Sequence, residues 1–422
     1  MSLTKSLAVF LVLVVCTYAS FAGGYQLNEH GVRAMGMGGA FVAQAADASA
    51  VFFNPAGLAF QKGWRIQVGS VLISPSVEFT GPTPLTTVSS MVRQNFLPSH
   101  AYISYAMSNG FAFGVGIFTP YGLGTEWPTE WVGRKVAVKS ELKTIYVNPT
   151  ISYRVSDNFS LGLGISYVWG NVRLSYRVPT YSSIPVLAEN DGTASLEGDG
   201  TAFNVNAGLM YKPTDDLSIG LSYRLKTDVK FDGKATFSNM QALAPFFPGG
   251  RGNTTLPMPG NLYAGIAYKV NPAFTMEADF QYVQWSSYDE TIVTLESGPA
   301  APPALGGQPL QKSPDPLMRD WEDTYLIRVG GEYRFDKLAL RAGYIFDRTP
   351  QPDKSVDPVL PDANRNEFTI GFGYELTQNL TVDGVYHHIF SSNRTVSASV
   401  NPFPGTYKVA ASLFGISIGY QF

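Results

Sequence analysis

The sequence predicts an all-β membrane protein: a closed antiparallel barrel of fourteen transmembrane strands, its lumen plugged by an N-terminal, mainly helical segment. Three observations lead there. From about residue 63 the chain is a train of segments in which apolar and polar residues alternate, the period of a strand whose side chains point to opposite faces. The connections between these segments alternate between short and long. Charged residues make up only 15% of the chain and aromatics 13%, against about 25% charged in a soluble domain. Yet no segment after the extreme N-terminus approaches the roughly 20 apolar residues that a spanning helix needs. In hydrocarbon, only helices and closed barrels satisfy their backbone hydrogen bonds.

The first element is a leader. Lys5 gives a positive start, Leu7 to Val15 an apolar run, and Ser20-Phe21-Ala22 a small-x-small site. That order predicts a signal peptide over residues 1–22 with cleavage after Ala22. Cys16, the only cysteine, falls inside it, so the mature chain has no disulfide or thiolate metal site. Val15 is bulkier than the residue that precedes a lipid-attachment cysteine. A net charge of −3 offers no basic patch for nucleic acid. Signal and barrel together place the protein in the outer membrane of a Gram-negative envelope, among its lipids.

Residues 23–62 show no period of two. Glycine, alanine and methionine dominate. Asp47 is placed to cap a short helix over 48–53, and Asn54-Pro55 ends it, because the residue before proline avoids helical dihedrals. About forty small residues fit inside a barrel of this size as a plug. Gly36-x-Gly38-Gly39 lacks the preceding strand and following fold of a phosphate loop, so its glycines read as close packing.

Residues 63–422 form the barrel. The alternating segments are 64–74, 97–108, 110–119, 139–155, 158–174, 200–212, 217–231, 260–270, 273–286, 323–335, 337–347, 365–376, 379–391 and 406–422. Short connections such as Ser108-Asn109, Ser156-Asp157 and Asn271-Pro272 read as periplasmic turns; long ones, including 232–259 and the proline-rich 297–316, read as extracellular loops. The last strand, SLFGISIGYQF, sets Phe414, Ile416, Ile418, Tyr420 and Phe422 on one face. That face meets lipid, and the terminal Phe422 is the kind of signal that outer-membrane assembly machinery recognises.

Inward positions divide by height. In the lower half they are charged: Glu277, Asp279, Glu332, Arg334, Arg341, Glu375 and Asp383. These are expected to pair with one another and with the plug, since charges in a confined lumen need partners. In the upper half many are apolar: Val71, Ile73, Phe118, Val168, Val172, Val283, Trp285, Leu326, Ile345, Val385 and Ile389. A concave apolar wall with a few polar anchors is how small-molecule sites are built, so these residues are expected to line a hydrophobic vestibule. Arg224, Lys226 and Arg328 are inward near the middle or top, the candidate anchors for a carboxylate. Pro120, with Gly114, Gly116, Gly122 and Gly124 around it, is expected to break the pairing of the third strand.

GYQLNE at 24–29, FFNPAGLA at 52–59, TPYGLGTEW at 119–127, WEDTYLIRVGGEYRF at 321–335 and GYIFDRTPQP at 343–352 resemble the FadL/TodX family of outer-membrane channels. The resemblance covers essentially the whole mature chain. It implies a passive channel, with no cofactor, for long-chain fatty acids in the first place, with neutral aromatic or aliphatic hydrocarbons as the alternative. It implies capture in an apolar groove and sideways release into the membrane at a kink in the third strand. It also assigns Tyr25 to the neighbourhood of an inner pocket. Asn54, in the Asn54-Pro55-Ala56-Gly57 motif, becomes a hatch residue that contacts the kink. The basic residues that meet a carboxylate in fatty-acid members have no residue-by-residue match here. A monomer is expected.

Two other classes compete. A lipid hydrolase on a barrel would need a nucleophile, base and orienter in reach; of His30, His100, His387 and His388, only His387 has an inward serine, Ser391, on the same strand. An open porin or adhesin would lack the plug.

Overall fold

The computed structural model describes residues 23–84, 86–178, 191–296 and 317–422. The expected signal peptide, Cys16 and connection 297–316 lie outside the described residues. Among those described, fourteen long strands form one closed antiparallel barrel. They are β1 (Gly63–Thr80), β2 (Ser99–Ala106), β3 (Phe111–Phe118), β4 (Lys139–Ser156), β5 (Phe159–Val178) and β6 (Gly192–Tyr211). After them come β7 (Leu217–Arg224, resumed as Thr227–Ser238), β8 (Gly250–Met258, resumed as Asn261–Asn271), β9 (Phe274–Val283) and β10 (Thr324–Phe335). The circuit ends with β11 (Leu338–Asp347), β12 (Arg365–Glu375), β13 (Leu380–Ser391) and β14 (Gly405–Gln421). Pairing of β14 with β1, from Arg65 opposite Gln421 to Thr80 opposite Thr406, closes the ring and leaves no free edge.

The alternation of the sequence becomes the two faces of the wall. On β3, Phe111, Phe113, Val115 and Ile117 are exposed, while Ala112, Gly114, Gly116 and Phe118 are buried. Such rows recur round the barrel, and an apolar belt of that extent is a lipid-facing surface. Next to the short turns the belt ends in aromatic pairs: Trp64 on Tyr105 at 4.7 Å, Phe111 on Tyr153 at 4.5 Å, and Tyr420 on Phe422 at 4.7 Å. Rings with a polar or polarisable edge favour this interfacial depth. Phe422 is 65% exposed on the outer side, its N–H bonded to the Trp64 carbonyl at 3.0 Å.

Several strands run further than their alternation suggests: β1 reaches Thr80, β6 starts at Gly192, and the largest extensions are in β7 and β8. The expected loop 232–259 is mostly strand: Thr227–Ser238 pairs in register with Gly250–Met258. Their outward residues, such as Asp228, Lys230 and Lys234, are polar because this part of the barrel stands above the lipid-facing belt. β7 is also broken at Leu225-Lys226, so the buried parity changes from even, at Ser222 and Arg224, to odd, at Thr227 and Val229.

Residues 23–60 lie within the lumen. They form the helical turns α1 (Val32–Gly36) and α2 (Ala50–Phe53) and a 3-10 turn over Pro55–Phe60. The lower charges meet them as expected. Glu332 pairs with Arg33 at 3.1 Å, Arg334 at 2.9 Å and Arg341 at 2.6 Å, and Arg341 also holds Asp383 at 2.6 Å. Asp279 accepts the N–H groups of Phe41 and Val42 at 2.8 and 3.1 Å; Glu277 accepts those of Ala43 and Gln44 at 2.6 and 3.2 Å. Gly38 and Gly39 have φ of +67° and +73°, and Gly38 lies against the backbone of Gly343 and Tyr344. Close packing explains the glycine cluster: a Cβ on Gly343 would stand 2.1 Å from the Gly38 nitrogen.

Candidate functional site

The third strand is interrupted where proline stands. β3 ends at Phe118 opposite Tyr146, and strand resumes over Gly122–Glu126 with Gly122 opposite Lys143. Four steps along β3 thus match three along β4, the signature of a bulge. Pro120 has no N–H to give the ladder. Toward β2 the ladder stops at Ile117 opposite Ala101. Beyond the break, Glu126 accepts an N–H from Val92 at 2.7 Å.

The N-terminus fills the break. Leu27 donates its N–H to the Pro120 carbonyl at 2.9 Å, and Gly122 donates to the Tyr25 carbonyl at 3.0 Å, placing Gln26 opposite Tyr121. The surrounding glycines allow the approach. A Cβ on Gly122 would meet Leu27 at 2.9 Å, one on Gly114 would meet Val51 at 2.7 Å, and one on Gly124 would stand 2.0 Å from the Phe96 ring. Gly116 is covered in the same way by Tyr102 and Val51.

Two apolar cavities flank this region. A lateral cavity of about 560 Å³ is bounded on the lumen side by Leu27, Glu29, Ile389 and Leu413, and also by Leu97, Ile117 and Ile145, whose side chains face lipid. An outer-end cavity of about 420 Å³ is lined by Val172, Leu196, Leu256, Leu295 and Trp321. Leu123, Leu142 and Leu360 touch both. Tyr25 stands between them. Its ring packs edge-on against Trp285 at 4.7 Å and Tyr288 at 5.6 Å, and its hydroxyl donates to the Pro257 carbonyl.

Some expected residues are placed elsewhere. Asn54 does not touch the kink: its amide donates to the carbonyls of Val42 at 2.9 Å and Leu209, on β6, at 3.0 Å, and its oxygen caps the 3-10 turn through Ala56 N–H. Pro55 and Ala56 sit against Gly162, where a Cβ would be 2.4 Å from the Pro55 carbonyl carbon, and Ser160 bonds the Ala56 carbonyl at 2.8 Å. Gly57 is packed under Ala45. The contacts with the kink come from Tyr25, Leu27, Val51 and Leu58.

Of the expected vestibule residues, Ile73 and Ile389 line the lateral cavity and Val172 the outer-end one. Val71 and Val385 instead pack with Val32 and Met35 of the N-terminal segment. Phe118, Val168, Val283, Trp285, Leu326 and Ile345 belong to a dense layer with Tyr25, Phe52 and Phe53. Parity shows which side chains face inward, not whether another part of the chain already fills the space.

None of the three basic candidates lines either cavity. Arg224 is buried over the rings of Phe52 and Phe118, 5.2 and 5.4 Å from their centroids, with one hydrogen bond to Asn204 at 3.3 Å. Arg328 holds Gln281 at 2.5 Å and Asn28 of the N-terminal segment at 2.9 Å. Lys226 is not inward: the parity change of β7 turns it out, beside Asp228 at 3.3 Å. Sequence reasoning missed Leu27 and Glu29, although both stand in the GYQLNE motif, and Leu360, which lies in a connection with no periodic signal. The hydrolase constellation is not assembled: His387 is bonded to Glu367 at 2.8 Å, and the Ser391 hydroxyl to the Val409 carbonyl.

The chain matches the family described as outer membrane protein transport protein (OMPP1/FadL/TodX) over residues 12–422. It is 28% identical over 441 residues to the 47 kDa outer membrane protein of Pasteurella multocida, covering 99% of this chain and 98% of that one. It is 26% identical over 461 residues to the long-chain fatty acid transport protein of Escherichia coli K12, again covering 99% and 98%. Among solved structures, the fold is similar to a Pseudomonas aeruginosa FadL homologue, with a TM-score of 0.80, 20% identity and coverage of 95% and 100%. It also resembles the toluene transporter TodX of P. putida, with a TM-score of 0.69, 18% identity and coverage of 96% and 99%. A barrel with a lipid-facing belt, its third strand broken and filled by its own N-terminus, and a family match along almost the whole chain lead to one conclusion: the chain belongs to the OMPP1/FadL/TodX family of outer-membrane transport proteins.

Proposed function

We propose that the protein takes up hydrophobic molecules by passive diffusion, with residues 23–62 as its hatch. Ligand enters the outer-end cavity, passes Tyr25 into the lateral cavity, and leaves sideways into the membrane at the break in β3. One observation carries this reading: the cavity beside the break is bounded by both lumen-facing and lipid-facing side chains, and strand 25–27 is hydrogen-bonded into the break. A molecule that displaces two backbone hydrogen bonds there has an apolar route to lipid. No cofactor or energy source enters this route. The working unit is a monomer, inserted through recognition of the strand that ends in Phe422.

The favoured ligand is a molecule without charge. Arg224, Lys226 and Arg328 lie away from both cavities, and Arg319, which lines the outer-end cavity, is engaged by Asp357. A second reading, uptake of long-chain fatty acids, is favoured by the exposed Lys135 at the rim of the outer-end cavity. Equilibrium binding of toluene and of oleate to the purified protein in detergent separates the two. Toluene binding without oleate supports the first reading; oleate binding that is weakened by Lys135→Ala supports the second. Binding of neither removes the proposal.

A further inference from the structure

Among the described residues, the lateral cavity holds one acidic side chain that makes no ion pair. Five charged residues line it: Glu29, Glu141, Lys143, Arg365 and Glu367. Glu141 is paired with Lys143 and lies 3.9 Å from Lys139. Arg365 is paired with Asp362 at 3.1 Å, and Glu367 with His387 at 2.8 Å. The two cations are therefore already neutralised. Glu29 is 7% exposed and has no ion-pair partner among the described residues. Its carboxylate accepts the N–H of Asn28 at 2.8 Å. Burial raises its pKa above the ordinary value; His387 opposes the rise and Glu367 adds to it.

A buried carboxyl group with spare acceptor capacity is costly unless something bonds to it. Leu27, Ile73, Ile389 and Leu413 cannot do so, and the lining hydroxyls of Ser99, Thr125 and Thr144 donate elsewhere, to Ser70, Val359 and Tyr121. An occupant can. We infer that Glu29 sorts ligands by their polar end: the lateral cavity accepts apolar molecules that carry a hydrogen-bond donor, such as a primary alcohol or a phenol, and turns away carboxylates. The donor end sits at Glu29 on the lumen side, and the apolar body points toward Leu97, Ile117 and Ile145. A carboxylate in the same place sets like charges together in an apolar wall, while a donor gains a charge-assisted bond. Rejection of one head group is as much a part of selectivity as attraction of the other.

This inference rests on the proposed passage of hydrophobic molecules, and its test separates the two. Binding of radiolabelled dodecane, 1-dodecanol and dodecanoate to the purified full-length protein would be compared at pH 8, for wild type and Glu29→Gln. A hydrogen bond to a charged acceptor is expected to favour the alcohol over dodecanoate by about tenfold or more. Glu29→Gln should bring that ratio within about threefold, mainly through tighter binding of dodecanoate. Dodecanoate binding as tightly as dodecanol in wild type overturns the inference even if the variant does not fold. So does a folded Glu29→Gln protein with an unchanged ratio. If dodecane binds while the other two are not distinguished, only the role of Glu29 falls; if none of the three binds, the hydrophobic passage falls with it.

Discussion

Leu27 and Pro120 are joined by a single backbone hydrogen bond of 2.9 Å. It closes the hole that Pro120 opens. The bond is isolated: it and the Gly122 to Tyr25 bond are the two backbone links across a short bridge with no further ladder. Each such bond contributes only about 1 kcal/mol net. Closure at this point is therefore weak compared with the wall around it, which suits the exit proposed there.

Gly122→Val should loosen the gate. Its Cβ would stand 2.9 Å from Leu27 Cδ1, so the Leu27 side chain must give way, and the two further methyl groups of valine crowd the bridge. Hydrogen exchange at residues 25–28 should be faster than in wild type, with exchange in β9 to β12 unchanged. Uptake of an apolar dye by cells should rise.

Tyr25 separates the cavities by bulk rather than by its hydroxyl. Tyr25→Phe loses the bond to Pro257, a cost of about 1 kcal/mol, and should leave uptake within about twofold of wild type. Tyr25→Ala removes the ring from among Trp285, Tyr288 and Trp321. It should raise basal flux of toluene into vesicles several-fold.

The lower lumen locks the segment from beneath. Asp279→Ala leaves the N–H groups of Phe41 and Val42 without acceptors; each orphaned buried group costs about 1–3 kcal/mol. The barrel should remain closed while its interior becomes permeable. Swelling of protein-loaded liposomes in small sugars should be detectable in this variant and absent in wild type.

Arg341 and Arg334 both pair with Glu332, but they are not equivalent. Arg341 is buried and holds Glu332 and Asp383 together. Arg341→Ala strands the buried Asp383 and takes one of three cations from Glu332, which keeps Arg33 and Arg334, and should cost about 3–5 kcal/mol. Arg334 is 41% exposed, and Arg334→Ala should cost about 0–1 kcal/mol. The unfolding temperatures of the two variants on semi-native gels provide the comparison.

The wall was legible because lipid imposes a strict rule on it. The exposed faces of β3, and of β14 from Phe414 to Tyr420, had to be apolar at every second residue, and they are. The rule lapses where the strands rise above the lipid belt, which is why 232–238 reads as a loop in sequence; the break at Leu225-Lys226, which alternation does not signal, is why Lys226 reads as inward. Pro120 announced the break by chemistry alone. The partner that fills it did not: nothing in Tyr25-Gln26-Leu27 signals a pairing with residues about a hundred positions away. Asn54 likewise finds Leu209 rather than the kink, through a contact separated by 155 positions. The apolar inward residues told the direction of their side chains, but Val71 and Phe118 turn out to face the N-terminal segment rather than open space.

The central claim is that the N-terminal strand must leave the break for transport to occur. Gln26 and Tyr121 face each other as a non-hydrogen-bonded pair, a geometry with Cα atoms about 4.5 Å apart, within the span of a disulfide. The Gln26→Cys/Tyr121→Cys variant should take up toluene when reduced and lose most uptake when oxidised, with recovery on adding reductant. Uptake that is the same in both states, with the disulfide verified by mass spectrometry, would contradict the account.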